Sequence, residues 1–402
     1  MVNGEDYCLD PLLTPNRPSA YSGPLTFIRN NPIATVVNAS GLIQTVGSNV
    51  PRIDYDPVTR VCKGLLIEEA RTNLCLQSGD MTLSPWSFVG GNRVRDVVAP
   101  DGTISATRYY GPSTSVPSQT GIIATSTTMT YSIYTKWISG NTSRTFLLRN
   151  TTTTTNFVTA SFNYLTGVIN GGTPSGWVAT AVDNGWYRLT YTQSTGITVG
   201  DSLQIYVGST GAVSTYNGEW AVWGAQVEAG AFATSYIPTA ASTVTRSAEV
   251  CSITGANFNN WFNQSEGTVV IGYDLIAVVD NQRMFSINDN SSANDLSAYT
   301  RSGGTRMLAV SQGTTQANPT GLATVLSNTI YKVALGFKTD DFAISVNGAT
   351  VVTDTSGSMP SNIIKLNLGS NYIGGGPLSG HIRFIQYYPT RLSNATLQSL
   401  TS

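Results

Sequence analysis

Thr130-Tyr-Ser-Ile-Tyr-Thr-Lys-Trp137 and Trp186-Tyr-Arg-Leu-Thr-Tyr-Thr192 place apolar and polar residues in near alternation. Successive side chains of a strand point to opposite faces, so a period of two marks a strand with one face in a core. The pattern returns in Leu203-Gln-Ile-Tyr-Val207, Tyr331-Lys-Val-Ala-Leu-Gly-Phe337, Phe342-Ala-Ile-Ser-Val346 and His381-Ile-Arg-Phe-Ile-Gln-Tyr-Tyr388. Between such segments stand Asp183-Asn-Gly185, Asn217-Gly218, Asp340-Asp341 and Asn347-Gly348. Asn, Asp and Gly turn a chain because they tolerate a positive φ. Short strands separated by these turns predict antiparallel β-sandwiches. Helix signals are confined to Ile67–Leu76, expected to form one or two turns, and to Leu392–Leu400, with Ser393 placed as its N-cap.

Composition agrees and excludes much else. Only 11% of the 402 residues are charged and the net charge is −1, so nothing offers a phosphate backbone an electrostatic footprint, and no nucleic-acid partner is expected. No apolar run is long enough for membrane insertion. The start, Met-Val-Asn-Gly-Glu-Asp-Tyr-Cys8, lacks a signal peptide's basic and apolar regions. A single histidine, His381, excludes multi-histidine zinc sites and leaves one imidazole for any triad. Cys8, Cys62, Cys75 and Cys251 are too scattered for a disulfide scaffold. Free thiols and folding in a reducing cytosol are the expectation.

Residues 1–25, with Pro11, Pro15, Pro18 and Pro24 among polar residues, read as an extended docking arm. A second boundary falls near Tyr236-Ile-Pro-Thr-Ala-Ala-Ser-Thr-Val-Thr-Arg246. The fold class is therefore all-β, an extended N-terminal arm followed by two antiparallel jelly-roll sandwiches. Its divisions are 1–25, a segment at 26–78, a sandwich at 79–247 and another at 248–402.

The segment at 26–78 concentrates charge that the rest of the chain avoids. It contains Arg52-Ile-Asp-Tyr-Asp-Pro-Val-Thr59 and Gly64-Leu-Leu-Ile-Glu-Glu-Ala-Arg-Thr-Asn-Leu74. This long motif resembles a segment of tailed-bacteriophage tail-fibre, head-fibre and spike proteins, where it precedes a sandwich similar to carbohydrate-binding modules. Trp223-Gly-Ala-Gln-Val-Glu-Ala-Gly-Ala-Phe-Ala-Thr-Ser-Tyr-Ile-Pro-Thr239 looks like that module's final strand and exit. Val346-Asn-Gly348, Leu378-Ser-Gly-His-Ile-Arg383 and Arg391-Leu-Ser-Asn-Ala-Thr-Leu397 resemble the end of a laminin-G or concanavalin-like sandwich. The resemblance implies a virion-surface protein made in the bacterial cytoplasm and assembled as a homotrimer. Phage capsid or tail proteins and host-surface polysaccharide would be its partners.

Arg52, Asp54, Asp56, Glu68, Glu69 and Arg71 are the candidate attachment residues, since arginine forks and carboxylates form directional pairs. Adjacent Glu68 and Glu69 make a poor catalytic pair. No serine elbow, phosphate loop or His-Glu-x-x-His motif occurs, and no catalytic residue is assigned. Between 248 and 402 the only glutamates are Glu249 and Glu266, too few for the acidic strand motif of concanavalin-like hydrolases. Glycan binding needs only aromatic platforms and a few polar groups. Trp177, between turn residues, is the preferred exposed platform, with Trp137, Trp86 and Tyr206 as further candidates; Trp186 and Trp223 read as core. Trp220 and Trp223, three apart in one strand, should face opposite ways. No cofactor is implied beyond a possible calcium ion in the loop Asn288-Asp-Asn-Ser-Ser-Ala-Asn-Asp295, through Asp289 and Asp295. The functional expectation is a phage fibre, spike or head-decoration protein that binds glycan. A glycan depolymerase and a purely structural component are the alternatives.

Overall fold

In a computed structural model the structure describes residues 25–88, 91–111, 116–170, 176–209, 218–322 and 324–402. The expected docking arm lies outside the described residues except for Leu25, as does Cys8. The chain is nearly all β, with its longer sheets wholly antiparallel.

The first sandwich has two six-stranded sheets. One runs in the order Trp177–Val182, Trp186–Gln193, Met129–Gly140, Gly218–Ala229, Ile104–Tyr110 and Asn92–Val98. The other is built on Val168–Asn170, Ala160–Asn163, Ser143–Asn150, Ser202–Ser209 and Ser118–Ile123. Between them Tyr131, Ile133, Phe146, Leu148, Leu189, Leu203, Ile205 and Trp220 form the core. The alternating segments thus turn one set of side chains inward, as their period demands. The link Asp183-Asn-Gly185 takes positive φ at Asn184 (58°) and Gly185 (78°), and so reverses the chain between two adjacent strands.

The second sandwich pairs an eight-stranded with a seven-stranded sheet. Six strands of the N-terminal segment knit the molecule together: β1 (Thr26–Ile28), β2 (Ala34–Val37), β3 (Ile43–Val46), β4 (Ile53–Tyr55), β5 (Cys62–Ile67) and β6 (Arg71–Asn73). β1 pairs with Val250–Thr254 at one edge of the eight-stranded sheet. β5 pairs with Gly380–Tyr388 and with β4 at the edge of the seven-stranded sheet. Phe27, Leu65 and Ile67 sit in the second core beside Ile271, Phe285 and Leu335. The segment 26–78 therefore supplies strands to the second sandwich across more than 180 intervening residues.

The same segment grips the first sandwich. The β2–β3 hairpin brings Ile43 onto Tyr134, Trp186, Ala221 and Trp223, the outer face of the Met129–Gly140 sheet. Trp220 is in the first core and Trp223 under the hairpin, on opposite faces of one strand. Buried Asn73 donates to the carbonyls of Ala225 (3.0 Å) and Ile237 (2.8 Å) and accepts from Cys75 and Val227.

Residues 67–76 are not helical. The backbone N–H of Glu68 is taken by the Glu249 carboxylate at 2.8 Å, and Arg71–Asn73 pairs as a strand with Val244–Arg246. The C-terminal helix, Asn394–Thr401, forms with Ser393 accepting from the Thr396 N–H at 3.2 Å. It covers the outer face of the seven-stranded sheet through Leu397.

Gly64 has φ 106°, and a Cβ there would lie 2.3 Å from the Ile382 carbonyl oxygen. Gly64→Ala should therefore lose about 1–3 kcal/mol to backbone strain alone, and more to the clash. Thermal unfolding of that variant checks it; an unchanged midpoint would contradict the strand pairing at β5.

Cys75 and Cys251 are fully buried free thiols, and burial pushes both well above the ordinary thiol range. Cys62 departs from the expected free thiols, being disulfide-bonded. It is half-buried at the start of β5, whereas Cys75 and Cys251 are fully buried. No described helix is long and apolar enough to cross a membrane.

Candidate functional site

Among the described residues, no core cluster covers the outer face of the Ser143–Asn150 and Ser202–Ser209 sheet. Because Phe146, Leu148, Leu203, Ile205 and Val207 point inward, Leu147, Arg149, Gln204 and Tyr206 point outward. Strand register sets Leu147 opposite Tyr206 and Arg149 opposite Gln204. The Tyr206 hydroxyl donates to Gln204 Oε1 at 2.9 Å and accepts from Arg149 Nη1 at 3.5 Å. Gln204 Nε2 donates onward to Ser118 Oγ at 3.1 Å. Among the described residues the buried Arg149 Nε has no partner. The row joins an aromatic ring to a planar guanidinium and a planar amide on one half-exposed face.

Of the four predicted platforms, only Tyr206 lies on that face. Trp177 is half-buried and packs against the first core. Its indole N–H donates to the Val158 carbonyl at 2.9 Å, and its ring stacks on Tyr191 at 5.0 Å, edge-on to Tyr131. Trp86 is only 3% exposed and donates to the carbonyls of Leu76 and Gln77. Trp137 packs against the first core. All three are large apolar groups at places where the sandwich needs filling. Arg149 and Gln204 escaped sequence reading, although Gln204 stands two residues from Tyr206 and so shares its face.

The motif charges mostly point inward. Arg52 and Glu68 are fully buried, with Arg52 Nη2 at 2.8 Å from Glu68 and 2.7 Å from Glu249. Arg29 adds a contact to Glu249 at 3.3 Å and Arg246 one to Glu68 at 3.0 Å, all four side chains being wholly buried. Ser235 donates to Glu68 through its N–H (2.7 Å) and hydroxyl (2.6 Å). Burial would raise the Glu68 pKa, but Arg246, Arg52 and Ser235 outweigh it and hold the carboxyl far below its ordinary range. Arg52 and Glu68 thus offer no charge to an outside partner. Arg71 is also buried, paired with Glu69 and lying 5.0 Å from the Phe232 ring centre. Asp56 accepts from the N–H groups of Val58 and Thr59 and closes the turn between β4 and β5.

Asp54 accepts from the Val37 N–H at 2.9 Å and meets His381 Nε2 at 3.0 Å. His381 Nδ1 lies 2.7 Å from Asp274, which also pairs with Arg383 at 2.8 Å. Lys63 stands 3.5 Å from Asp54. A neutral imidazole has one N–H, so two facing carboxylates call for the doubly protonated ring. Burial would lower the His381 pKa; Asp274 and Asp54 outweigh it and raise it above its ordinary value. The imidazole is a buried tie between β4 and the second sandwich, with no nucleophile bonded to it.

Both carboxylates of the expected calcium loop are bonded to protein donors. Asp289 accepts from Ser291 and Asn294, and Asp295 from Ser286 and Ser297, with Arg283 at 3.7 Å. These bonds turn the carboxylates into loop and strand ties. Among the described residues no group of three His, Cys, Asp or Glu side chains converges to hold a metal.

No family model matches the sequence, and neither does any curated protein. Distant likenesses occur among solved structures. The CBM40 of the Ruminococcus gnavus IT-sialidase shares 22% identity, covering 35% of this chain and 84% of that one, with a TM-score of 0.30. Domains LG4-5 of the mouse laminin alpha1 chain share 7%, covering 80% and 88%, with a TM-score of 0.24. The CBM22-1–CBM22-2 tandem of Paenibacillus barcinonensis Xyn10C shares 10%, covering 81% and 100%, with a TM-score of 0.27. Likenesses this distant carry no ligand or activity over to this chain.

Proposed function

We propose that this chain is a non-enzymatic glycan-binding protein of a tailed-phage particle, which meets sugar on the open sheet at Tyr206. The observation that carries the reading is the row Arg149–Tyr206–Gln204 on a half-exposed face that no core cluster of the described residues covers. A sugar ring presents an apolar C–H face to an aromatic ring and equatorial hydroxyls to planar donors and acceptors, and this row supplies both. A binding rather than hydrolytic role is supported by the engagement of the buried carboxylates Asp54, Glu68, Glu249 and Asp274 with cationic groups.

The particle assignment rests on the motif resemblance of Arg52–Thr59 and Gly64–Leu74. Attachment would fall to residues 1–25 and to the half-exposed motif charges Asp56 and Glu69. In a homotrimer, three weak sites held together would bind a repetitive surface polysaccharide by avidity.

Tyr206→Ala removes the platform without touching the core. It should weaken binding to host capsular or lipopolysaccharide by about tenfold or more, as loss of an aromatic contact implies. Titration of the wild-type and variant chains with the same polysaccharide checks this; equal affinities would sink the open-sheet site. Antibody labelling of purified virions tests the particle assignment separately.

A further inference from the structure

Between the first sandwich, the β2–β3 hairpin and the second sandwich lies a cleft of about 550 Å³. Val178, Thr180 and Thr190 of the covered sheet form one wall, and Ile276 and Asn328 face it from the second sandwich. Pockets of this size at domain interfaces are common ligand sites.

Its lining carries Arg188, Lys63 and His381 alongside the carboxylates Asp54 and Glu68. Beneath the floor, Arg29, Arg52 and Arg246 are set against Glu68 and Glu249, and a third buried carboxylate, Glu228, accepts from the Thr234 that Arg246 also reaches. Beside it, Lys63, His381 and Arg383 are set against Asp54 and Asp274. Arg188 lines the cleft and pairs with no carboxylate among the described residues. Its Nη2 donates to Ser132 Oγ at 3.0 Å and to the Thr234 carbonyl at 2.7 Å, and among the described residues its buried Nε has no partner. The positive field in the cleft comes from Arg188, a lining cation with no carboxylate bonded to it among the described residues. Low-dielectric walls strengthen such a field and draw anions to it. Lys63, one-third exposed and 3.5 Å from a carboxylate it shares with His381, is the loosest of these cations.

We infer that this cleft is a second binding site, for a carboxylated saccharide, with Arg188 and Lys63 as its cationic contacts. The volume far exceeds that of an inorganic anion, and Val178, Thr180, Thr190 and Phe232 offer the mixed apolar and hydroxyl lining that a sugar ring requires. The site is separate from the open sheet and does not depend on Tyr206.

Calorimetric titration of the full chain with a uronate disaccharide, its neutral hexose counterpart and inorganic phosphate tests the inference. The uronate should bind, the neutral sugar should bind at least about tenfold more weakly, and added salt should weaken the uronate. Lys63→Gln and Arg188→Gln should each reduce uronate affinity about tenfold, as expected for loss of a charge-assisted contact. Tyr206→Ala should leave it unchanged. Arg188 also holds the Thr234 carbonyl, so the part-exposed Lys63 supplies the variant that keeps its fold, checked by thermal unfolding. Absence of uronate binding, equal binding of the neutral sugar, or full affinity in Lys63→Gln would overturn the inference. Phosphate binding as tight as the uronate's would make this a small-anion site. Loss of uronate binding in Tyr206→Ala alone would move it to the open sheet, overturning the cleft and leaving the first site standing.

Discussion

Glu249→Ala is expected to destabilise the protein by about 3–5 kcal/mol, the usual loss when one partner of a buried ion pair is removed. Glu249 receives Arg52 at 2.7 Å, Arg29 at 3.3 Å and the Glu68 N–H at 2.8 Å, so its removal takes the carboxylate partner from buried Arg29, leaves Arg52 with Glu68 alone and strands one backbone donor. Replacing the whole network with well-packed apolar residues could be nearly neutral, because desolvation offsets much of its attraction. The single change is harmful because it leaves charge uncompensated. Arg29, Arg52 and Glu68 belong to the N-terminal segment, whereas Ser235 and Arg246 lie between the sandwiches. The loss should therefore fall first on β1 and β5, seen as faster amide exchange there before global unfolding. Urea titration measures the total; a change below about 1 kcal/mol, the scale of an exposed pair, would contradict the buried network.

His381 is expected to give the protein an alkaline stability limb. Its folded pKa is raised, so its contribution is fully present below the unfolded value of about 6.5 and is lost as pH rises through the folded value. Asp54 and Asp274 have lowered pKa values, because His381, with Lys63 or Arg383, outweighs the effect of burial. Their contribution is present above the unfolded carboxyl value of about 3.9 and is lost as pH falls through the folded values. The cluster should stabilise most between about pH 4 and 6.5. His381→Ala leaves two buried carboxylates facing an empty site, and should lose about 3–5 kcal/mol at pH 6. The variant should also lose the alkaline limb. Unfolding midpoints from pH 5 to 9 decide the matter, and parallel curves for variant and wild type would refute a charged imidazole.

Local periodicity made much of the fold legible. Trp186–Gln193 and Tyr331–Lys338 are strands where alternation placed them, and Ser393 caps the C-terminal helix it was positioned to cap. Long-range chemistry was not legible. Arg52 concentrates charge visibly, but its partner Glu249 is 197 residues away, so nothing local shows that the pair faces inward. Glu68 failed as a helix residue for the same reason, its N–H being claimed by that distant carboxylate. Trp177 sits among turn residues, yet its ring is held by Tyr191 and Val158, which only the closed sandwich brings together. Gln204 and Tyr206 were readable as one face, whereas Arg149 required the strand register.

The most direct test of a contact protein without hydrolytic chemistry is to incubate the intact chain with host-surface polysaccharide while following both binding and new reducing ends. Saturable binding with no increase in reducing ends over the polysaccharide alone is the predicted result. A steady release of reducing ends, proportional to protein concentration, would contradict it.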